Sequence, residues 1–302
     1  MKTIFLLLLV STTAMAQLQL PKFDIQGHRG CRGLKPENTI PAFIAALDSG
    51  VTTLEMDVAI TKDKQIVVSH EPWMSADICL DAAGGTIPKK EEMRFNIYEM
   101  TYEQVKQFDC GSKVNERFPQ QEKMVVSKPL LKDVIAAAET HIKSYTQYEV
   151  DYNIEIKSMP EGDNKFHPEP AEFSDMVYVL LDRYLPMERV VIQSFDFRVL
   201  KYWHEKYPEM RLSALVDNKK TVSQNLTDLG FTPSVYSPDF KSLTPDAVKY
   251  LHAKKARVIP WTVNEPNDML SMKGLGVDGI ITDYPNRAMK YKITLGLSRK
   301  QQ

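Results

Sequence analysis

The chain has 302 residues, 43% of them hydrophobic and 25% charged, with 13 Gly and 18 Pro. Those proportions exclude a disordered, collagen-like or coiled-coil chain, and the length suits one large α/β domain or two small ones. A formal net charge of −1 lacks the basic excess that nucleic-acid binders carry, so no nucleic-acid partner is expected.

Lys2, the apolar run from Ile4 to Val10 and the small-x-small triplet Ala14-Met15-Ala16 read as a secretory signal peptide over residues 1–16. The run is too short to span a bilayer, and no later segment is apolar enough to do so. With Gln17 rather than a cysteine next, a lipid-anchored start is not expected. The domain then covers residues 17–302, and its expected site of action is periplasmic or secreted.

From there β-rich runs alternate with helical patterns. Phe23–His28 reads as a strand, and Thr39–Asp48 as a helix started by Asn38 or Thr39 and ended near Gly50. Thr52–Ile60 is a second strand, and Ile66–Ser69, beyond Lys62-Asp63-Lys64, is the return arm of a hairpin. Residues 71–128 break the rhythm and read as an insertion, with one short helical pattern at Tyr102–Phe108. The alternation resumes with a helix at Leu130–His141. Strands follow at Tyr152–Ile156, Arg189–Ser194, Arg211–Val216, Ser234–Ser237, Arg257–Thr262 and Gly279–Thr282. Their helices are Pro170–Tyr184, Asp196–Lys206, Thr221–Leu229, Thr244–Lys254, Pro266–Leu275 and Asn286–Lys292. With the return arm set aside, eight strands each precede a helix. The pattern predicts an α/β fold, a (β/α)8 TIM barrel with a hairpin return strand and a small insertion after the second strand. No Gly-rich phosphate loop follows any strand, so a dinucleotide or P-loop site is not expected. Among the three cysteines, Cys79 and Cys110 either pair and leave Cys31 free, or all stay buried thiols.

Chemistry in such a barrel sits where strands run out into the βα loops. The first strand ends in His28-Arg29-Gly30; the second carries Glu55 and Asp57 on one face; the next carries Glu155 and Lys157 on one face. Later ends bring Ser194, Asp239, Trp261 and Asp283. If the hairpin turn centres on Asp63, Met56 opposes His70, which sets the imidazole beside Glu55 and Asp57. With Leu54, Met56 and Val58 facing helices, the two carboxylates point into the barrel, where they repel unless a cation lies between them. Together with Glu155 they make a hard-oxygen site suited to Mg²⁺ or Ca²⁺ rather than zinc.

The run His28-Arg29-Gly30, Pro36-Glu37-Asn38-Thr39, Glu55-Met56-Asp57, His70-Glu71-Pro72 closely resembles the glycerophosphodiester phosphodiesterases of secreted bacterial type. Asn153-Ile154-Glu155-Ile156-Lys157, Ser194-Phe195, Trp261-Thr262-Val263-Asn264 and Thr282-Asp283-Tyr284-Pro285 are similar to that family's later strand motifs. The resemblance implies one divalent cation held by Glu55, Asp57 and Glu155, with Glu37 and Asn38 supporting it. It implies His28 and His70 as the acid–base pair, and Arg29, Lys157 and Trp261 as substrate-binding residues. The implied partner is a small glycerophosphodiester, cleaved to glycerol 3-phosphate and an alcohol. An unperturbed imidazole pKa of about 6.5 suits both proton transfers. Two other readings stay open: a phospholipase C or D type barrel acting on intact lipids, and a non-catalytic module that binds glycerophospho groups. The first needs an apolar mouth; the second predicts a missing histidine or ligand.

Overall fold

The computed structural model of the protein describes residues 23–294, so the proposed signal peptide lies outside the described residues. Strand β1 (Asp24–Gly27) leads into helix α1 (Ile40–Asp48), and β2 (Thr53–Ile60) turns back as β3 (Ile66–Val68). After the short α2 (Tyr102–Val105) come α3 (Leu131–His141), β4 (Asp151–Ile156), α4 (Pro170–Tyr184), β5 (Val190–Ser194) and α5 (Phe197–Lys206). The chain continues through β6 (Arg211–Val216), α6 (Val222–Leu229), β7 (Val235–Pro238) and α7 (Pro245–Ala253). The described residues end with β8 (Arg257–Val258), α8 (Pro266–Gly274), β9 (Gly279–Thr282) and α9 (Pro285–Thr294).

Among the described residues the strands form one sheet in the order β8-β7-β6-β5-β4-β2-β1-β9, parallel throughout, with β3 antiparallel on β2. Backbone bonds from Asp278 N to Val258 O, Ile281 N to Pro260 O and Val263 N to Ile281 O join the two ends and close the barrel. The seventh barrel strand, β8, is shorter than the expected Arg257–Thr262. Pro260 has no N–H to give the ladder, and regular pairing stops before it while Trp261 N still reaches Pro238 O.

Alternation along the strands decides what is inside. Leu54, Met56, Val58, Ile154, Ile156 and Ile192 point outward and pack under Phe43, Leu47, Phe173, Val177, Leu181 and Trp203 of the helices. Residues of opposite parity, Gln26, Glu55, Asp57, Asn153, Glu155 and Gln193, are buried in the interior. The hairpin pairs Val58 with Val68, Ala59 with Val67 and Ile60 with Ile66, the register that a turn at Asp63 predicts.

Between β3 and α3 the chain builds a small core of its own, in which Met74, Ile87, Ile97 and Val105 pack on Ala59 and Val67. Cys79 and Cys110 are bridged within it, while Cys31 is free and buried. The short helix ends at Val105 instead of Phe108, because Gln107 and Phe108 bond back only three residues and Phe108 turns its ring onto Phe95. No helix among the described residues is long and apolar enough to cross a membrane.

Candidate active site

The strand ends surround a cavity of about 660 Å³ whose walls include His28, Arg29, Glu55, His70, Glu155 and Trp261. Asp57, Lys157, Glu37 and Asn38 stand one contact behind that wall. The catalytic, substrate-binding and ligand candidates read from the sequence are therefore gathered at one end of the barrel, whereas Ser194 is buried with its hydroxyl on Ile156 O.

The turn after β1 does most of the positioning. Arg29 and Gly30 both take left-handed backbone conformations, φ 51° and 83°. At Gly30 a Cβ would lie 2.7 Å from the Ala42 backbone, so only glycine lets α1 approach this closely. The turn aims Arg29 N–H at Glu55 Oε2 (2.8 Å) and sends the guanidinium to Glu37 Oε1 (2.7 Å). Asn38, also left-handed at φ 56°, donates to Asp57 Oδ2 at 2.8 Å. The next residue, Thr39, caps α1 by accepting from Ala42 N–H. The Pro36–Thr39 segment thus serves both as a helix start and as a clamp on the carboxylates.

Glu55, Asp57 and Glu155 each offer an oxygen, and these oxygens lie within 4.8 Å of one another. Burial first, then the charge of Asp57 and Glu155, pushes Glu55 well above the usual carboxylate range. Burial also raises Glu155, to about 7, with Lys157 opposing and Asp57 adding to the shift. Burial acts the same way on Asp57, but the nearby His70 ring, the charges of Arg29 and Lys157 and the hydrogen bond from Asn38 outweigh it and keep that group ionised. Two carboxyls pushed toward the protonated form beside one that stays ionised mark a site short of positive charge. A hard divalent cation fits such a donor set.

Both imidazoles are oriented by carboxylates. His28 Nδ1 lies 2.7 Å from Asp283 Oδ1, and His70 Nδ1 lies 2.8 Å from Glu71 Oε1. Asp283 is itself fixed by Arg32 Nε at 2.6 Å and Asn264 Nδ2 at 2.8 Å. Since a carboxylate only accepts, the proton sits on Nδ1 in each ring and leaves Nε2 as a base. The expectation of an ordinary imidazole pKa is corrected here. Burial and the neighbouring Arg32 lower His28 to about 4, and burial with Arg29 lowers His70. Both rings are neutral at pH 7.

Several site residues were given no role in the sequence, although Glu71 and Asn264 stand inside quoted motifs. Arg32, Glu71, Asn264 and Gln193 make the bonds that orient the first set, and Lys128 is buried close to Glu71 and Glu37. Of these, Gln193 was legible by parity with Glu155, whose register partner it is. On the opposite wall Phe195 meets Trp261 edge to face at 5.5 Å, and the Trp261 indole N–H donates to Ser237 O. The rim carries Arg117, Asp239 and Lys241.

Residues 28–287 match the model of the glycerophosphoryl diester phosphodiesterase family. The chain belongs to that family. A glycerophosphodiester phosphodiesterase of Bacillus altitudinis is 30% identical over 89% of this chain and 97% of its own. A solved glycerophosphoryl diester phosphodiesterase described as putative, from Silicibacter pomeroyi, is 30% identical, superposes with a TM-score of 0.81, and covers 93% of this chain and 96% of its own. An Oleispira antarctica phosphodiesterase solved in complex with the product sn-glycerol-3-phosphate has the same fold. It is 20% identical, with a TM-score of 0.70 over 90% of this chain and 96% of its own. This chain is accordingly an enzyme, a phosphoric diester hydrolase of that family, and the fold expected from its strand count is the one it has.

Proposed function

We propose that this enzyme hydrolyses small glycerophosphodiesters to glycerol 3-phosphate and an alcohol. In this reading one divalent cation, Mg²⁺ or Ca²⁺, is held by Glu55, Asp57 and Glu155, and His28 and His70 move the protons. The observation that carries it is the convergence of three buried carboxylates and two carboxylate-oriented imidazoles on one cavity. The product bound to the Oleispira antarctica neighbour supports the choice of product.

A phosphodiester is a stable anion, so cleavage needs charge neutralisation, a deprotonated nucleophile and a protonated leaving oxygen. When bound, a divalent cation supplies part of the first. Arg29, and Lys157 beside Glu155, supply the rest. A neutral imidazole with its Nδ1 proton on a carboxylate is ready to take the nucleophile's proton at Nε2. The other ring has to take up a second proton, at Nε2, as the anionic diester binds; it gives that proton to the departing alkoxide, and passage through solvent of the proton that the first ring took from the nucleophile resets the pair. The face formed by Phe195 and Trp261 suits the carbon side of a glycerol unit. The charged rim of Arg117, Asp239 and Lys241 favours a small polar diester over acyl chains, and no member of the catalytic set is missing, as a pure binding module would predict. The Cys79–Cys110 bridge supports an exported enzyme, because disulfides persist in oxidising compartments.

The test is a panel of water-soluble glycerophosphodiesters, assayed for glycerol 3-phosphate, and of lysophospholipids, assayed for lysophosphatidic acid. Release from the soluble diesters is expected. Turnover confined to the lipids would overturn the substrate class.

A further inference from the structure

A line of buried side chains runs through the barrel interior from the site to the N-terminal end of β1. Gln193 Nε2 donates to Glu55 Oε1 at 2.7 Å. Asn153 Nδ2 donates both to Gln193 Oε1 (2.9 Å) and to Gln26 Oε1 (2.7 Å). Gln26 Nε2 donates to Asp24 Oδ2 at 2.9 Å, and the Thr52 and Thr53 hydroxyls fill Asp24 Oδ1 at 2.7 and 2.8 Å. All five members, Asp24, Gln26, Asn153, Gln193 and Glu55, are buried.

The polarity of this line follows from its ends. Both Glu55 oxygens receive an N–H, Oε1 from Gln193 and Oε2 from the Arg29 backbone, and Asp24 Oδ2 receives one from Gln26, so each terminal glutamine turns its N–H outward and away from the centre of the line. Both glutamine oxygens then face the centre, where only a group with two donors satisfies them. The Asn153 amide is such a group. It spends both N–H bonds inward along the line, and its Oδ1 is left buried without a partner among the described residues. If Asn153 turned over, both glutamines would have to turn as well, and Gln193 would present an oxygen to Glu55.

We infer that Asp24, Gln26 and Asn153 are positioning residues. They lock the Gln193 amide so that its N–H, and not its oxygen, faces Glu55. Asp24 touches nothing in the cavity, yet it biases the orientation of a cation ligand at the other end of the line. The inference rests on the proposed role of Glu55, Asp57 and Glu155 as ligands.

Calorimetric titration of chelator-stripped protein with Ca²⁺ and with Mg²⁺ tests it, independently of turnover. Outer partners of metal ligands typically contribute about 10–100-fold in affinity. Gln193→Met should therefore weaken binding by that order, and Asp24→Asn, which frees the far end to reverse, by roughly 3–10-fold. The double variant should bind no more weakly than Gln193→Met alone, since the effect of Asp24 travels through Gln193. A merely structural role for Asp24 would not produce that non-additivity. If Asp24→Asn does not fold, Gln26→Met cuts the same line without disturbing the Thr52 and Thr53 bonds, and the same loss is expected. Unchanged affinity in Asp24→Asn or Gln26→Met, or losses that simply add, would overturn the inference while leaving the cation site intact. A wild-type protein that binds neither ion would remove the site itself, and the inference with it.

Discussion

Glu155→Gln should stabilise the metal-free protein at alkaline pH and not at acidic pH. Glu155 is buried, and its carboxyl is raised to about 7 from an ordinary 4.5 by burial and the charge of Asp57, against the opposing pull of Lys157. A group whose pKa is raised on folding contributes stability that is complete below its unfolded value and is lost as pH rises through the folded one. The wild type therefore loses stability between about pH 4.5 and 7. At 1.36 kcal/mol per unit the loss approaches about 3 kcal/mol above pH 7. Gln copies the protonated form at every pH and escapes that loss. For a chain of this size, with unfolding entropy near 2.1 cal/mol/K per residue, the difference between the variants should widen by about 5 °C in Tm from pH 4.5 to 8. Thermal scans in excess chelator measure it. In saturating Mg²⁺ or Ca²⁺ the order should reverse, because the ion stabilises the wild type by mass action and binds the variant poorly. A Tm difference that does not change with pH, or that shrinks as pH rises, would refute the electrostatic account of this cluster.

Other outcomes follow from the same geometry. His28→Ala and His70→Ala should each lower kcat by about 10²–10⁴-fold, and the variant lacking the acid should recover much of its rate on a nitrophenyl diester, whose leaving oxygen needs no proton. Equal losses on both substrates would refute the acid–base pairing. Asp283→Asn should lower kcat by at least about 10²-fold with little change in KM, because the anion that holds the Nδ1 proton of His28 is gone; an unchanged kcat would remove Asp283 from the proton path. Replacing both Cys79 and Cys110 by Ser should cost on the order of 3 kcal/mol in denaturant unfolding, given a sequence separation of 31, and a loss below about 1 kcal/mol would show that the apolar cluster alone holds the segment.

The parts legible in the sequence were those governed by local pattern. Period-two alternation over Thr53–Ile60 fixed which of its residues face inward, and the Asp63 turn fixed the hairpin register that brings His70 to the site. The helix starts at Thr39 and at Thr244-Pro245 were legible from their caps, whereas α3, α4 and α8 begin without a side-chain cap. What stayed hidden were partners set by tertiary contact alone. Nothing local joins Arg32 to Asp283, Asn264 to Asp283, or Asn153 to Gln26. The imidazole pKa values shifted for the same reason, since burial and the approach of Arg29 and Arg32 exist only in the folded barrel. The shortened β8 is a local signal misread: Pro260 was visible, and its missing N–H stops the ladder.

The cation-dependent cleavage proposed for this site is tested most directly by an activity titration of the stripped enzyme. Protein freed of metal by chelation, with elemental analysis to verify it, is assayed for glycerol 3-phosphate release while Mg²⁺ or Ca²⁺ is added back. Activity should be absent at the start and rise along a single-site curve that matches the calorimetric affinity, and Glu55→Gln should not recover at the same ion concentrations. Full glycerol 3-phosphate release in excess chelator, with no ion found in the protein, would contradict the assignment of Glu55, Asp57 and Glu155.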